Sequence, residues 1–133
     1  MTVHIPVSFG ELIDKLTILK IKAEKITDIK KIKFIDIEFY SLNQVYLKYY
    51  KMMDKDVIVN IKSLYNDLYN INNELWIIED NIRDKERNKE FDNDFIDIAR
   101  SVYITNDKRM SIKKSIDKLM GSDISEQKSY KPY

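Results

Sequence analysis

The sequence predicts an all-α protein: a four-helix up-down bundle with one long central helix and a polar C-terminal tail. Apolar residues recur at spacings of three and four along most of the chain, which is the period of amphipathic helices. Only two glycines and two prolines occur in 133 residues, too few for the many tight turns of a sheet protein. Because a chain of this length buries one core, residues 1–133 are predicted to form a single helical domain.

The first two helices are predicted from their apolar stripes. Residues 1–7 form an N-terminal arm, and the first helix begins at a capping box in which Glu11 follows Ser8 by three residues. Its stripe comprises Phe9, Leu12, Leu16, Leu19, Ala23 and Ile26. A polar break at Thr27 and Asp28 separates it from the second helix. The second stripe comprises Ile32, Ile35, Phe39, Leu42, Tyr46, Tyr49 and Met53.

The third helix has the most regular pattern, with four unbroken heptads. Its stripe comprises Val57, Ile61, Leu64, Leu68, Ile71, Leu75, Ile78 and Ile82. Asp56 is the expected N-cap, and the helix is expected to run to Arg87, over about 45 Å at 1.5 Å per residue. Leu68 and Ile71 are predicted to lie in the core.

The fourth helix is predicted to begin after the cap residue Asp92 and to end before Gly121, a residue that favours helix C-termini. Its stripe comprises Phe95, Ile98, Val102, Thr105, Arg109, Ile112, Ile116 and Leu119. Residues 122–133 form a polar C-terminal tail, which composition alone predicts to be disordered.

Thr105 and Arg109 interrupt this last stripe, and two hypotheses account for them. In the first, Asn106 and Asp107 end one helix and cap the next, so that Arg109 is solvated. In the second, the helix is continuous and Arg109 faces the bundle, where a guanidinium requires an anion. Glu79, at the edge of the apolar face of the third helix, is then the nearest candidate partner.

Composition argues against several classes of function. The chain has no cysteine and one histidine, which excludes thiolate chemistry, zinc-thiolate sites, histidine triads and multi-histidine metal sites. With 23 basic and 22 acidic residues, it lacks the positive surplus that nucleic-acid binding requires. No apolar run approaches the roughly 20 residues of a membrane span, and the N-terminus does not resemble a signal peptide. We therefore expect no nucleic-acid or membrane partner and a cytoplasmic, intracellular location.

No residue pattern predicts a cofactor, a metal site or catalytic residues. Glu74 and Glu79 are five residues apart and lie on different helix faces, unlike the paired acidic motifs that hold magnesium in helical pyrophosphohydrolases. Asp94 and Asp97 have the required spacing but no matching pair. The sequence shows no nucleophile–base pair, which disfavours an enzyme without excluding one.

Several motifs resemble those of a small bacterial and viral family of unknown function. The family motifs are GELxDKLTIL, ELWxIEDxIR and FDxxFIxxARxVYxxNDxR, and this chain carries them at 10–19, 74–83 and 91–109. The resemblance does not extend to the second helix and the turn after it, and Gln127 stands where the family has an acidic residue. Some family members accompany carbohydrate or glycosyltransferase genes. The resemblance implies a polar site shared by the first, third and fourth helices and the tail. It continues into the tail at Lys128-Ser129-Tyr130, which implies that Tyr130 packs against the bundle.

Two interpretations of function follow. The leading one is a stand-alone domain that binds an anionic or sugar-like small molecule. Its predicted site comprises Asp14, Lys15, Glu79, Arg83, Arg100, Asp107 and Arg109. The alternative is a structural or protein-interaction module without a ligand, whose polar residues form a buried ion-pair network. Its long third helix would then dock a protein partner or a second copy. An open cleft bearing these side chains would favour the first interpretation, and a closed network beside an exposed apolar surface would favour the second.

Overall fold

The protein is an all-α four-helix bundle, as predicted. The computed structural model describes all 133 residues, and helices account for 75% of them. The helices are α1 (Phe9–Lys25), α2 (Ile29–Tyr50), α3 (Lys55–Arg87) and α4 (Asn93–Met120). Residues 1–7 and 122–133 contain no helix or strand.

Polar residues at the helix ends explain most of these boundaries. The Ser8 hydroxyl accepts a hydrogen bond from the Glu11 amide at 3.1 Å, which is one of the two bonds of the predicted capping box, whereas the Glu11 carboxylate binds Lys113. Asp92 caps α4 through the Phe95 amide, and Gly121 ends α4 in the left-handed region with a φ of 62°. The predicted cap of α3 was wrong. The N-cap is Asp54, and Asp56 instead lies in the first turn, where a carboxylate interacts favourably with the helix dipole.

The core draws residues from all four helices. Seven buried side chains form its centre: Leu12, Ile13, Leu16, Tyr46, Ile61, Leu68 and Ile116. Leu68 is fully buried, which confirms its predicted position, and Ile71 is partly buried against the same cluster. The ring of Phe9 packs against Tyr46, which joins the beginning of α1 to α2.

The two longest helices form an antiparallel hairpin. Lys85 near the end of α3 pairs with Glu90 in the connection and with Asp92 at the cap of α4. The fourth helix is continuous through Asn106 and Asp107, so the hypothesis of a break there was wrong. Its buried positions all follow residue 104, and this second half is the part that packs against α1.

Exposed apolar side chains are concentrated on α2. Seven of its large hydrophobic residues are exposed, against two on α3, two on α4 and none on α1. The seven are Ile29, Phe34, Ile37, Tyr40, Val45, Leu47 and Tyr49. This helix packs mainly on α1, which leaves its opposite side uncovered. No helix combines the length and the apolarity that crossing a membrane requires.

Candidate functional site

The helices α1 and α4 are in close contact at Gly10. Its amide donates to the Asp117 carboxylate at 2.7 Å. A β-carbon at this position would lie 2.6 Å from the Lys113 carbonyl oxygen and 2.7 Å from the Asp117 carboxylate. Only glycine therefore allows this separation between the two helices.

A polar cluster lies beside this contact and comprises Glu11, Asp14, Asn72, Arg109, Lys113 and Glu126. The Asp14 carboxylate is its centre and is 1% exposed. It accepts hydrogen bonds from the Asn72 amide at 2.9 Å and from Arg109 Nε and Nη2 at 2.9 and 2.5 Å. Thr17 completes its surroundings by donating to the Asp14 carbonyl and accepting from Asn72. One carboxylate thus joins α1 to both α3 and α4.

Lys113 links the cluster to the C-terminal tail. Its ammonium group lies 2.8 Å from the Glu11 carboxylate, 3.0 Å from Glu126 and 3.8 Å from Asp14. Burial lowers the pKa of Lys113, but hydrogen bonds to Glu11 and Glu126 outweigh it and leave the pKa raised. Arg109 behaves alike, since burial lowers its pKa and its contact with Asp14 reverses the effect. Both side chains therefore stay charged at neutral pH.

The tail follows α4 backwards and contacts the bundle at three points. The Ser122 hydroxyl accepts from the Phe9 amide at 3.3 Å, and Glu126 pairs with Lys113. At the end of the chain, the Tyr133 hydroxyl donates to the Asp107 carboxylate at 2.6 Å, and its ring packs edge-on against Tyr103.

The prediction that Tyr130 packs against the bundle was wrong. Its side chain is 78% exposed, and the ammonium group of Lys128 in the tail lies 5.7 Å from the centre of its ring. The bundle contacts are made by polar groups on either side of it, at Glu126 and Tyr133. The tail is therefore attached through hydrogen bonds and an ion pair rather than through this aromatic residue.

The structure brings together two of the seven predicted site residues. Asp14 and Arg109 are paired, so Arg109 faces the bundle, but its partner is Asp14 and not Glu79. Glu79 instead pairs with Arg83 one turn along the same exposed surface of α3, at 3.3 Å. The remaining three are dispersed over the surface: Lys15 and Arg100 are exposed and form no ion pair, and Asp107 holds Tyr133.

Four members of the cluster were not among the predicted site residues, although three carry a sequence signal. Asn72 follows Leu68 by four residues and so falls on the buried stripe of α3, and Lys113 follows Arg109 by the same spacing on α4. Glu11 belongs to the capping box and faces the same side of α1 as Asp14. Glu126 has no local signal, because only the course of the tail brings it to the cluster.

The centre of the cluster is buried and its hydrogen bonds are satisfied, while the side chains of Glu11, Arg109 and Glu126 at its edge are 33%, 24% and 48% exposed. No buried side-chain nitrogen or oxygen in the chain lacks a partner. Three carboxylates, those of Glu11, Asp14 and Glu126, surround the two cations Arg109 and Lys113. No group of three acidic or histidine side chains in the structure has a geometry that could hold a metal ion.

An open groove of about 650 Å³ lies between α3 and α4, away from the cluster. Its polar lining consists of Asp67, Asn70, Glu74, Asp107, Lys108 and Ser111. Isoleucine side chains and the Tyr133 ring complete it. Carboxylates outnumber cations here by three to one, which disfavours an anionic occupant. Of the predicted site residues, the groove includes Asp107.

Replacing Gly10 with alanine is expected to lower the free energy of unfolding by about 1–3 kcal/mol. The new methyl group would meet the backbone of α4, which cannot move without separating the helices. Alanine is otherwise the better helix former, so the sign of the effect is diagnostic. Urea unfolding followed by circular dichroism measures the change, with exposed Ser41→Ala as the control. A Gly10→Ala variant as stable as the wild type would contradict the close approach.

Stability in acid is expected to depend in part on Glu126. Its hydrogen bond with Lys113 lowers its pKa below the ordinary value of 4.5, so the pair stabilises the fold above that pH and is lost as the pH falls through the lowered pKa. Because Glu126 is half exposed, the effect should not exceed about 1 kcal/mol. Urea unfolding at neutral pH and near pH 3 should show a smaller acid loss in Glu126→Gln than in the wild type. Glu38→Gln, which removes an exposed and unpaired carboxylate, should lose as much stability between neutral pH and pH 3 as the wild type.

A search against protein-family models, curated proteins and solved structures finds no match to this chain. The resemblance in the GELxDKLTIL and related motifs therefore remains a prediction from the sequence.

Proposed function

We propose that this chain is a structural or interaction module, and that its polar cluster holds the bundle together instead of binding a ligand. The observation that carries the proposal is the burial of the cluster's centre. Asp14 and Lys113 are 1% and 4% exposed, and no buried side-chain nitrogen or oxygen lacks a partner within the chain. A binding site for a small molecule would instead present some of these groups to an open cleft.

The charge of the cluster also argues against an anionic ligand. Three carboxylates face two cations, so a phosphate or carboxylate entering the cluster would meet a negative surplus. If the tail moved away and removed Glu126, the two remaining carboxylates would still balance the two cations, and the cluster would be neutral. An ion-pair network that ties α1, α3, α4 and the tail together needs no further anion, and this supports a structural role.

The surface that supports an interaction role is α2 and not α3. The regular apolar stripe of the third helix, which suggested a docking surface, packs inside the bundle through Ile61, Leu68 and Ile78. The second helix instead leaves seven large hydrophobic residues exposed. Exposed apolar side chains concentrated on one helix in this way are typical of sites that contact a partner. We therefore assign the interaction surface to the uncovered side of α2.

The groove between α3 and α4 supports a second candidate function, the binding of a neutral sugar-like molecule. Carboxylate, amide and hydroxyl groups line it together with the Tyr133 ring, and such groups bind neutral hydroxyls. Its acidic lining makes it a poor site for sugar phosphates. This candidate keeps Asp107 of the predicted site but leaves Asp14 and Arg109 in a structural role.

A thermal-shift screen tests these proposals. Nucleotide sugars, sugar phosphates and neutral oligosaccharides would be added to the wild type and to the double variant Asp14→Leu with Arg109→Met. A ligand at a hundred times its Kd adds about 2.7 kcal/mol, which is several degrees in Tm. We expect no such rise with any compound.

Two outcomes of the screen would contradict a module without a ligand. A rise in the wild type that the double variant loses would return the ligand site to the polar cluster. A rise that persists in the double variant but is lost in Asp107→Asn would assign a ligand to the groove. Lys114→Gln, which removes an exposed charge from α4 outside both sites, is the control for nonspecific effects.

A further inference from the structure

The uncovered side of α2 carries three apolar side chains interleaved with three lysines. We call this set, formed by Lys30, Lys33, Phe34, Ile37, Tyr40 and Lys48, the outer face. Phe34, Ile37 and Tyr40 are 77%, 69% and 68% exposed, and the lysines are exposed as well. At 3.6 residues per turn, the six side chains occupy about a third of the helix circumference and extend over about 27 Å.

The charged side chains of the outer face are all positive. No acidic residue lies within this sector, since Asp36 and Glu38 project beyond its two edges at helical spacing. None of its three lysines forms an ion pair, whereas Lys85 on the neighbouring hairpin is paired with several carboxylates. A partner that covers this face gains by supplying negative charge.

This charge distinguishes between the occupants that an exposed apolar strip can have. A second copy of the chain, paired through the same face, would bring two sets of lysines together and would be repelled. An anionic bilayer offers the complement: apolar side chains enter the boundary between headgroups and acyl chains, and lysines extend along the surface to the phosphates. The tyrosine ring, apolar with a polar tip, also suits that boundary.

We propose that the outer face of α2 docks the protein on an anionic lipid surface. This inference rests on the proposed function, because it names the partner of the same interaction surface. The sequence-based expectation of no membrane partner came from the lack of a spanning segment and a signal peptide, and neither observation bears on contact at the surface. Lys30 and Lys33, which form no ion pair within the chain, acquire a partner in this arrangement.

Vesicle co-sedimentation tests the proposal. The wild type is expected to bind vesicles of phosphatidylcholine containing about 30% phosphatidylserine at least tenfold more tightly than phosphatidylcholine alone, and to lose most of this binding at high salt. The variant Phe34→Ser with Ile37→Ser and Tyr40→Ser should lose at least fivefold in affinity, and reversal of Lys30, Lys33 and Lys48 to glutamate should abolish binding. Circular dichroism verifies that each variant is folded.

A matched charge reversal on α3 and α4 provides the control. Lys55, Lys114 and Lys118 are exposed and form no ion pairs, so their replacement by glutamate changes the net charge equally. Full vesicle binding by this variant supports the assignment to α2, and an equal loss overturns it. The proposal is also overturned if the wild type ignores anionic vesicles or binds soluble polyglutamate as tightly. A homodimer that the apolar variant dissociates would assign the face to a second copy.

These outcomes are independent of the ligand screen. If the protein does not bind vesicles, the proposed structural role of the polar cluster is unaffected. If a compound raises Tm by binding to the cluster, the result of the vesicle assay is unaffected. The lipid partner and the module without a ligand can therefore fail separately.

Discussion

Replacing Arg109 with methionine is expected to lower the free energy of unfolding by about 3–5 kcal/mol. The substitution leaves the Asp14 carboxylate buried at 1% exposure, with Lys113 at 3.8 Å as its only remaining cation. Replacing Asp14 with leucine should also be damaging, because it removes an acceptor from Arg109 and Asn72 together. Either single change breaks a buried pair and leaves a charge without its partner.

The double variant with both substitutions should be closer to the wild type than the two single losses predict. It removes both charges at once, and the Asn72 amide keeps the Thr17 hydroxyl as an acceptor. Urea unfolding of the four proteins gives the coupling energy, which should exceed about 1.5 kcal/mol.

An exposed pair provides the comparison for this cycle. Glu79 and Arg83 pair one turn apart on α3, and their side chains are 48% and 71% exposed. The cycle built from Glu79→Gln and Arg83→Met should give a coupling below about 0.5 kcal/mol, because solvent screens the interaction. Additive effects at Asp14 and Arg109, or single losses below about 1 kcal/mol, would show that their interaction is no stronger than this exposed one.

Replacing Leu68 with alanine is expected to cost about 2–5 kcal/mol, because its side chain is completely buried in the centre of the core. The residue belongs to the buried cluster to which all four helices contribute, so the cavity left behind cannot close without moving a helix. Thermal and urea unfolding both measure the loss. On the same helix, Val59 is 67% exposed, and Val59→Ala should change stability by less than about 0.5 kcal/mol. Equal effects at the two positions would mean that the stripe does not face inward.

The sequence predicted the helices well because their signals are local. Apolar spacing repeats within each helix, and the N-cap Ser8 and the C-terminal Gly121 act within a few residues of a helix end. The structure follows all three. The error at Asp56 is also local: two aspartates stand two residues apart, and the helix starts after the first. Boundaries of this kind depend on small differences in capping energy that composition does not resolve.

The partner of Arg109 could not be predicted in the same way. Its position on the apolar stripe indicated that it faces inward, but Asp14 lies 95 residues away along the chain. Which carboxylate it meets depends on how α1 and α4 align, and that alignment is set by the close contact at Gly10. Glu79 was the expected partner because it lies on α3, the helix that immediately precedes α4. Its side chain, however, projects from the exposed side of α3. Glu126 reaches the cluster only because the tail folds back.

The contact at Gly10 also has a consequence for the order of folding. Gly10 and Asp117 are separated by 107 positions, so their hydrogen bond closes a loop of nearly the whole chain. The α3–α4 hairpin, by contrast, brings together segments joined by a short turn. Because loop closure costs more entropy as the loop lengthens, the hairpin is expected to form before α1 docks onto it. Substitutions at Gly10 should then act mainly by accelerating unfolding, whereas those that weaken the hairpin should slow folding.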